Sequence, residues 1–228
     1  LRFGWTATFL VYTFCFLVLG LFLLFVPYEK GEVHQHKQAK KEKMTAGQFR
    51  FTLLSALVAG VIVLSNTAIN LRVPSLVLYH QIGTAQTASL ILSAMQLIGI
   101  VAGVSFAPMV GIFKDRLLTI IGICFGLSLI LIGLSSNIWL LAFSALFAGF
   151  TYSITLTTVF HTVSEKIPPH LINQAVSITV LGCSGGASVT TFILSLIGHL
   201  SQAPLFIFSA LGVIMMVIAM LSYNITKE

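Results

Sequence analysis

The sequence predicts an all-α integral membrane protein, and its composition, hydropathy and charge distribution together support that fold class. Hydrophobic residues make up 57% of the 228 residues and charged residues 8%, whereas a soluble domain contains about 25% charged residues. The mean hydropathy is +1.02. Nine of the 18 charged side chains lie between Glu29 and Arg50, so the rest of the chain has too few charges to cover a soluble surface.

Seven apolar segments are long enough to cross the hydrocarbon core, which requires about 20 residues in a helix. Backbone N–H and C=O groups find no water in lipid, so these segments must form helices. We therefore expect seven transmembrane helices. They are predicted at residues 5–27, 51–79, 86–110, 117–134, 138–162, 171–197 and 203–223.

The positions of the basic residues predict how this bundle is oriented. The connections at residues 28–50, 111–116 and 164–170, together with the tail at 224–228, contain ten of the twelve Lys and Arg residues. The connections on the other side, at 80–85, 135–137 and 198–202, contain none. The positive-inside rule places the first group and the C-terminus in the cytoplasm. The short loops are typical of a multi-pass protein of a bacterial inner cell membrane.

Several other classes of protein are disfavoured by the residues present. The net charge of +6 is concentrated beside apolar spans and not on an Arg-rich or aromatic surface, so we expect no nucleic-acid partner. The only close histidine pair, His34 and His36, has no cluster of carboxylates or thiols beside it. We therefore expect no enzyme activity, catalytic residue, metal or cofactor. The last span lacks the Lys of a retinal protein and the internal Pro of a G-protein-coupled receptor.

A short motif at the inner end of the third span is typical of one family. Residues Gly111 to Arg116 read Gly-Ile-Phe-Lys-Asp-Arg, which resembles the Gly-x-x-x-Asp-Arg loop of the major facilitator superfamily. In that family a long charged cytoplasmic loop joins two six-helix halves. The resemblance implies the family's helix six at residues 1–27, the central loop at 28–50 and the C-terminal six-helix bundle at 51–228. The N-terminal half of the transporter is then missing from this chain.

The motif residues also have a chemistry of their own. Gly111 permits a tight turn or a close helix approach. Asp115 precedes the fourth span, where a carboxylate meets the unpaired N–H groups and the positive end of a helix. The resemblance implies that Gly111, Asp115 and Arg116 form a cytoplasmic gate that opens during transport. The alternative is a solvated, positively charged turn with no gating role.

Small residues recur at four-residue intervals along the third span, at Gly99, Gly103, Ala107 and Gly111. Such a row lets two membrane helices approach closely. Static packing against a neighbouring helix is one interpretation, and a sliding surface between moving bundles is the other.

Polar residues inside the spans are the candidates for substrate binding, because such residues are costly in a membrane. Asn66 and Asn70 share one face of the second span, about 22 and 28 Å from the inner surface when counted from residue 51. They either bind a substrate or form hydrogen bonds between helices. Gln96 and Tyr152 are weaker candidates for a place in the same cavity.

Two further residues have a candidate role that depends on charge. Arg72 lies about 31 Å from the inner surface, where it either extends to the outer headgroups or attracts an anionic group into the cavity. Pro74 is a candidate break point in the helix beside it.

His161 is the candidate proton carrier, with an ordinary hydrogen-bonded ring as the alternative. The predicted spans contain no Asp or Glu, so proton coupling would need His161 or the missing half.

The resemblance implies secondary active transport of a small organic solute by alternating access. Proton coupling and efflux are the finer expectations, and the lipid bilayer and the solute are the expected partners. The apolar, carboxylate-free walls favour an amphiphilic solute. A receptor or structural subunit that transports nothing is the alternative function.

Overall fold

A computed structural model describes residues 7–25, 44–200 and 203–227. This part of the chain is built from α-helices and short turns without any β-strand, which confirms the predicted fold class. A helix is present at each of the seven predicted positions. The helices are α1 (Ala7–Phe25), α2 (Ala46–Tyr79), α3 (Ala85–Phe113), α4 (Leu117–Gly133), α5 (Ile138–Lys166), α6 (Ile172–Leu200) and α7 (Pro204–Lys227).

The chain divides into two compact units, Leu1–Lys43 and Met44–Glu228. The described part of the first unit is α1, whose 19 residues include no charged side chain. In the second unit, α2, α3, α5, α6 and α7 are long and apolar enough to cross a membrane. The apolar α4 has 17 residues and therefore spans about 26 Å.

Several helices extend beyond the apolar segments that predicted them, and the extensions of α2 and α5 have a clear local cause. α2 begins five residues early because Thr45 and Gln48 form a capping box, in which each side chain accepts a hydrogen bond from the other residue's backbone N–H. α5 continues to Lys166 and ends where Ile167 adopts an extended backbone ahead of Pro168, a residue pair that disfavours helix. The extension of α5 brings Glu165 into the helix.

Pro74 lies inside α2 and does not end it, so the predicted break point is wrong. The helix is continuous from Ala46 to Tyr79. A proline ring supplies no N–H, so the carbonyl of Asn70, four residues earlier, loses its usual partner within the helix.

Two pairs of helices in the second unit, α2 with α6 and α4 with α7, pack backbone against backbone. A Cβ atom added to Gly60 of α2 would lie 2.8 Å from the carbonyl oxygen of Gly182 in α6, and one added to Gly186 would collide with the carbonyl of Gly60. In the second pair, a Cβ on Gly126 would lie 2.7 Å from the carbonyl oxygen of Gly212. A third pair, α3 with α5, does the same at Gly149, where an added Cβ would collide with the carbonyl oxygen of Met95. These glycines allow close helix approaches around a core that contains Ile62, Ile69, Phe125 and Phe208.

The predicted row of small residues on α3 is mostly unused as a contact surface within the described unit. Gly103, Ala107 and Gly111 are exposed, and a Cβ added to either glycine would meet open space. Gly99 is different, because its added Cβ would lie 2.9 Å from the hydroxyl oxygen of Ser153 on α5. Spacing alone identified the row, but a close contact forms only where a facing helix lies near, as at Gly99.

Hydroxyl side chains on α5 bond to their own helix. Thr151, Thr155, Thr158 and Thr162 each donate to the carbonyl oxygen four residues earlier, at distances of 2.7 to 2.8 Å. Ser144 does the same at 2.8 Å. These polar groups are therefore satisfied without help from a neighbouring helix.

We expect Gly186→Ala to destabilise the protein, because the added methyl group would force α6 away from the backbone of α2. Overpacking of this kind costs about 1–3 kcal/mol. Thermal unfolding of the detergent-solubilised protein, followed by size-exclusion chromatography, measures the effect.

Gly103→Ala is the matched control, since its methyl group meets no atom and alanine favours helix over glycine by about 0.5–1 kcal/mol. We expect this variant to be as stable as the wild type or more stable. Equal melting temperatures for the two variants would contradict the packing described for α2 and α6.

Candidate functional site

The candidate residues on α2 lie on two different faces of that helix. At about 100° per residue, Asn66 and Asn70 are separated by roughly 40°, whereas Arg72 is turned by roughly 160° from Asn70. The two amides can therefore serve one site, and Arg72 faces another direction. The spacing of these three residues in the sequence is enough to predict that they lie on two faces of the helix.

Asn66 is a buried polar residue with an unused acceptor. Its side chain is 9% exposed, and its Oδ1 atom has no hydrogen-bond partner in the described part of the chain. Nδ2 of Asn70 donates to the backbone carbonyl of Asn66 at 2.9 Å, which holds the two residues on one face. A buried polar atom without a partner costs about 1–3 kcal/mol, so such an atom marks a position where a ligand can supply the missing donor.

Pro74 adds a second acceptor close to the first. Because it withholds the N–H that Asn70 would otherwise receive, the Asn70 carbonyl is available beside the Asn66 amide. α2 therefore presents two oxygen acceptors within about one turn, near the middle of a helix otherwise packed in apolar residues.

Arg72 lines a different cavity, at the end of the bundle where α2 stops and α7 starts. The cavity is bounded by Arg72, Ser75 and Tyr79 on α2 and by the first turns of α7. Nη2 of Arg72 donates to the carbonyl of Leu194 on α6 over a long 3.4 Å. The guanidinium of Arg72 is half-buried at this end of the bundle. Its positive charge therefore lies away from the two asparagine amides.

Tyr152 and Gln96 occupy unlike environments. Tyr152 of α5 is half-buried against the main core, with its ring centroid 6.0 Å from that of Phe125. Gln96 of α3 is exposed. Neither residue lines the cavity beside Arg72, and the same is true of the two asparagines.

His161 lies beside an acidic residue that sequence analysis missed. Its Nδ1 atom is 3.4 Å from Oε2 of Glu165, one turn further along α5, and its ring makes an edge contact with Phe106 at 5.7 Å between centroids. The predicted span ends at residue 162, so Glu165 was not included in it. The four-residue spacing, with no helix breaker before Pro168, was the signal that could have found this pair.

The His161–Glu165 pair opens onto a cavity of about 290 Å³ between the ends of α3, α4 and α5. Lys114 and Lys166 also line it, together with Thr158 and Thr162. The imidazole of His161 therefore shares this cavity with one carboxylate and two ammonium groups at one end of the bundle.

The motif residues form a tight turn between α3 and α4. Lys114 to Arg116 make one turn of 3₁₀ helix, and Lys114 has a positive φ of 45°, a backbone conformation that glycine adopts more readily. Gly111 and Arg116 are exposed. The side chain of Asp115 lies outside the described part of the structure, and the charged loop at residues 28–43 does too.

A sequence profile described as Major Facilitator Superfamily matches residues 1–190, which is most of the chain. The chain belongs to the Major Facilitator Superfamily. The resemblance first noticed in the motif at Gly111 is therefore confirmed, and with it a general role in membrane transport. A search of curated proteins found no match. The matched residues include all of helices α1 to α5 and the first two thirds of α6.

We expect Asn66→Leu to stabilise the protein by about 1–3 kcal/mol, because it removes a buried acceptor that has no partner and substitutes an apolar side chain of similar size. Thermal unfolding in detergent measures the change. Asn70→Leu is the control on the same face; it removes the 2.9 Å bond to the Asn66 carbonyl and should not stabilise the protein. A lower melting temperature for Asn66→Leu would show that its amide is already bonded within the protein.

Proposed function

We propose that this protein moves a small organic solute across the membrane by alternating access, with proton coupling and in the direction of efflux. The unpartnered Oδ1 of buried Asn66 is the observation that carries the proposal. A static helix bundle gains nothing from such an atom, whereas a transporter needs a binding group that a solute can use and then release.

The chemistry of the α2 face indicates the class of solute. Asn66 and the carbonyl of Asn70 are both acceptors, so the solute carries N–H or O–H donors. The core around α2 is apolar, with Ile62, Ile69 and Leu64 buried close by along the helix. An amphiphile with an amine or hydroxyl group satisfies both conditions. Gln96 and Tyr152 are the further contacts that we propose, and Arg72 contributes an attraction for anions at the bundle end.

His161 is the proposed proton carrier, because Glu165 lies within ionic reach and the adjoining cavity gives water access. Gly111, Asp115 and Arg116 are the proposed cytoplasmic gate. Exposed Gly111 leaves room at the end of α3 for a second helix bundle to approach.

The domain plan and the location belong to the same proposal. Residues 1–27 correspond to helix six, 28–50 to the cytoplasmic central loop and 51–228 to the C-terminal six-helix bundle, which works with an N-terminal half. The C-terminus lies in the cytoplasm and the protein resides in the inner cell membrane, with no catalytic reaction of its own. The distribution of Lys and Arg supports this orientation.

We expect Asp115→Asn to change solute flux at least several-fold without loss of folded protein, because it removes the charge that holds the gate closed. The measurement is efflux of the fluorescent amphiphile ethidium from proteoliposomes that contain the native protein. Glu42→Gln in the central loop removes the same charge elsewhere and should leave flux unchanged. If solute flux is unaltered in Asp115→Asn, the motif is a solvated turn with no gating role.

We expect His161→Gln to abolish the dependence of ethidium efflux on a pH gradient while leaving ethidium exchange at equal pH close to wild type. Coupling needs a group that gains and loses a proton, and glutamine keeps a hydrogen-bonding side chain without that property.

Glu165→Gln provides the companion measurement, since it removes the carboxylate that lies 3.4 Å from Nδ1 of His161 and should weaken gradient-driven efflux without abolishing it. If gradient-driven efflux persists unchanged in His161→Gln, a residue other than His161 carries the proton.

A further inference from the structure

A second cavity lies at the end of the bundle opposite the Lys114–Arg116 turn, and it is chemically unlike the amide face of α2. It encloses about 80 Å³, enough for two or three water molecules or one phosphate group. Arg72, Ser75, Leu76 and Tyr79 form one wall, because residues three, four and seven apart share a face of a helix. The first turns of α7, from Pro204 to Phe208, form the other wall.

The charge in this cavity is not neutralised within the described structure. The guanidinium of Arg72 has five N–H donors, and its one hydrogen bond, to Leu194, is long at 3.4 Å. The ion pair found among the described side chains is His161 with Glu165, at the other end of the bundle. A half-buried cation in a membrane helix needs a counter-ion, so Arg72 has both the charge and the free donors to bind an anion.

The start of α7 strengthens the preference for an anion. The positive end of that helix borders the cavity, and its first residue, Pro204, is itself part of the wall. The hydroxyl groups of Ser75 and Tyr79 are further donors at the rim. The lining contains no carboxylate.

The surroundings favour an anion that carries a hydrocarbon chain. Leu205 and Phe206, next to the cavity wall on α7, are 45% and 42% exposed, and Tyr79 is 69% exposed. Leu76, Ile207 and Phe208 make the interior of the cavity apolar behind the guanidinium. A free ion would leave this apolar rim uncovered, whereas an acyl chain covers it.

We propose that this cavity binds the phosphate of an anionic phospholipid, with Arg72 bonded to the phosphate oxygens and the acyl chains lying along Leu205 and Phe206. Arginine matches a phosphate group with two parallel N–H bonds. The site is separate from the amide face that carries the proposed solute, because Arg72 is turned by roughly 160° from Asn70. In the orientation given above, the lipid belongs to the outer leaflet.

Native mass spectrometry of the detergent-solubilised native protein tests the proposal, with phosphatidylglycerol and zwitterionic phosphatidylcholine added as probes. We expect phosphatidylglycerol to bind the wild type at least about tenfold more tightly than it binds Arg72→Gln, in keeping with the strength of a charged hydrogen bond. Phosphatidylcholine carries the same phosphate beside a neutralising ammonium group, so it should bind the wild type more weakly than phosphatidylglycerol does and lose less affinity in Arg72→Gln. Equal phosphatidylglycerol affinity in wild type and Arg72→Gln would overturn the proposal.

Two control variants distinguish specific binding in this cavity from a general attraction of the anionic lipid to basic residues. Arg50→Gln removes an exposed arginine from the other end of the same helix, and we expect it to keep wild-type affinity. Ser75→Phe keeps Arg72 but fills the rim of the cavity, and we expect it to weaken phosphatidylglycerol as Arg72→Gln does. An equal loss in Arg50→Gln would mean surface electrostatics only and would overturn the site.

Inorganic phosphate distinguishes a lipid from a free anion. At millimolar concentration it should not displace phosphatidylglycerol from the wild-type protein, because it lacks the acyl chains that cover Leu205 and Phe206. Displacement that depends on Arg72 would show a small-anion site and overturn the lipid assignment. Melting temperatures of all variants, measured without added lipid, identify any loss of affinity that comes from unfolding.

Discussion

The contact of α2 with α6 through Gly60, Gly182 and Gly186 is the constraint on which the second unit depends. Lipid tails are as apolar as the helix surfaces, so helices in a membrane associate chiefly through close packing and polar contacts. Glycine allows the backbones of α2 and α6 to touch. That contact lies between one and two helical turns from Asn66 along α2. It also brings the carbonyl of Leu194 within reach of Arg72.

α2 combines two opposite chemistries on two faces. One face offers acceptors, the amide of Asn66 and the carbonyl that Pro74 leaves free, and the other offers the donors of Arg72. A solute rich in donors and an anionic headgroup would therefore bind the same helix without competing. Pro74 matters on the first face through the N–H that it lacks, since the helix continues through it.

Composition and charge were sufficient to predict the helical membrane fold and its segment positions, because hydropathy and Lys/Arg distribution act residue by residue. The family was indicated separately, by the resemblance of the residues from Gly111 to Arg116 to a known loop. Three features needed the folded chain. The helix end at Lys166 depends on Ile167 and Pro168 and not on apolarity, so Glu165 was left out. The contacts of Gly60 and Gly126 depend on what the facing helix presents, as the unused glycines of α3 show. The unmet acceptor of Asn66 follows only from its surroundings in three dimensions.

The self-bonded threonines of α5 have a mechanical consequence. Each hydroxyl of Thr151, Thr155, Thr158 and Thr162 stays paired with its own helix whatever the neighbouring helices do. A small rotation or axial shift of α5 against α2, α3 or α4 therefore breaks none of these four bonds. The resistance to such a movement comes instead from packing, above all at Gly149, where the backbone of α5 lies against the carbonyl of Met95 in α3. A change in the tilt of α5, which carries His161 and Glu165, is therefore limited by that contact and not by the threonine bonds.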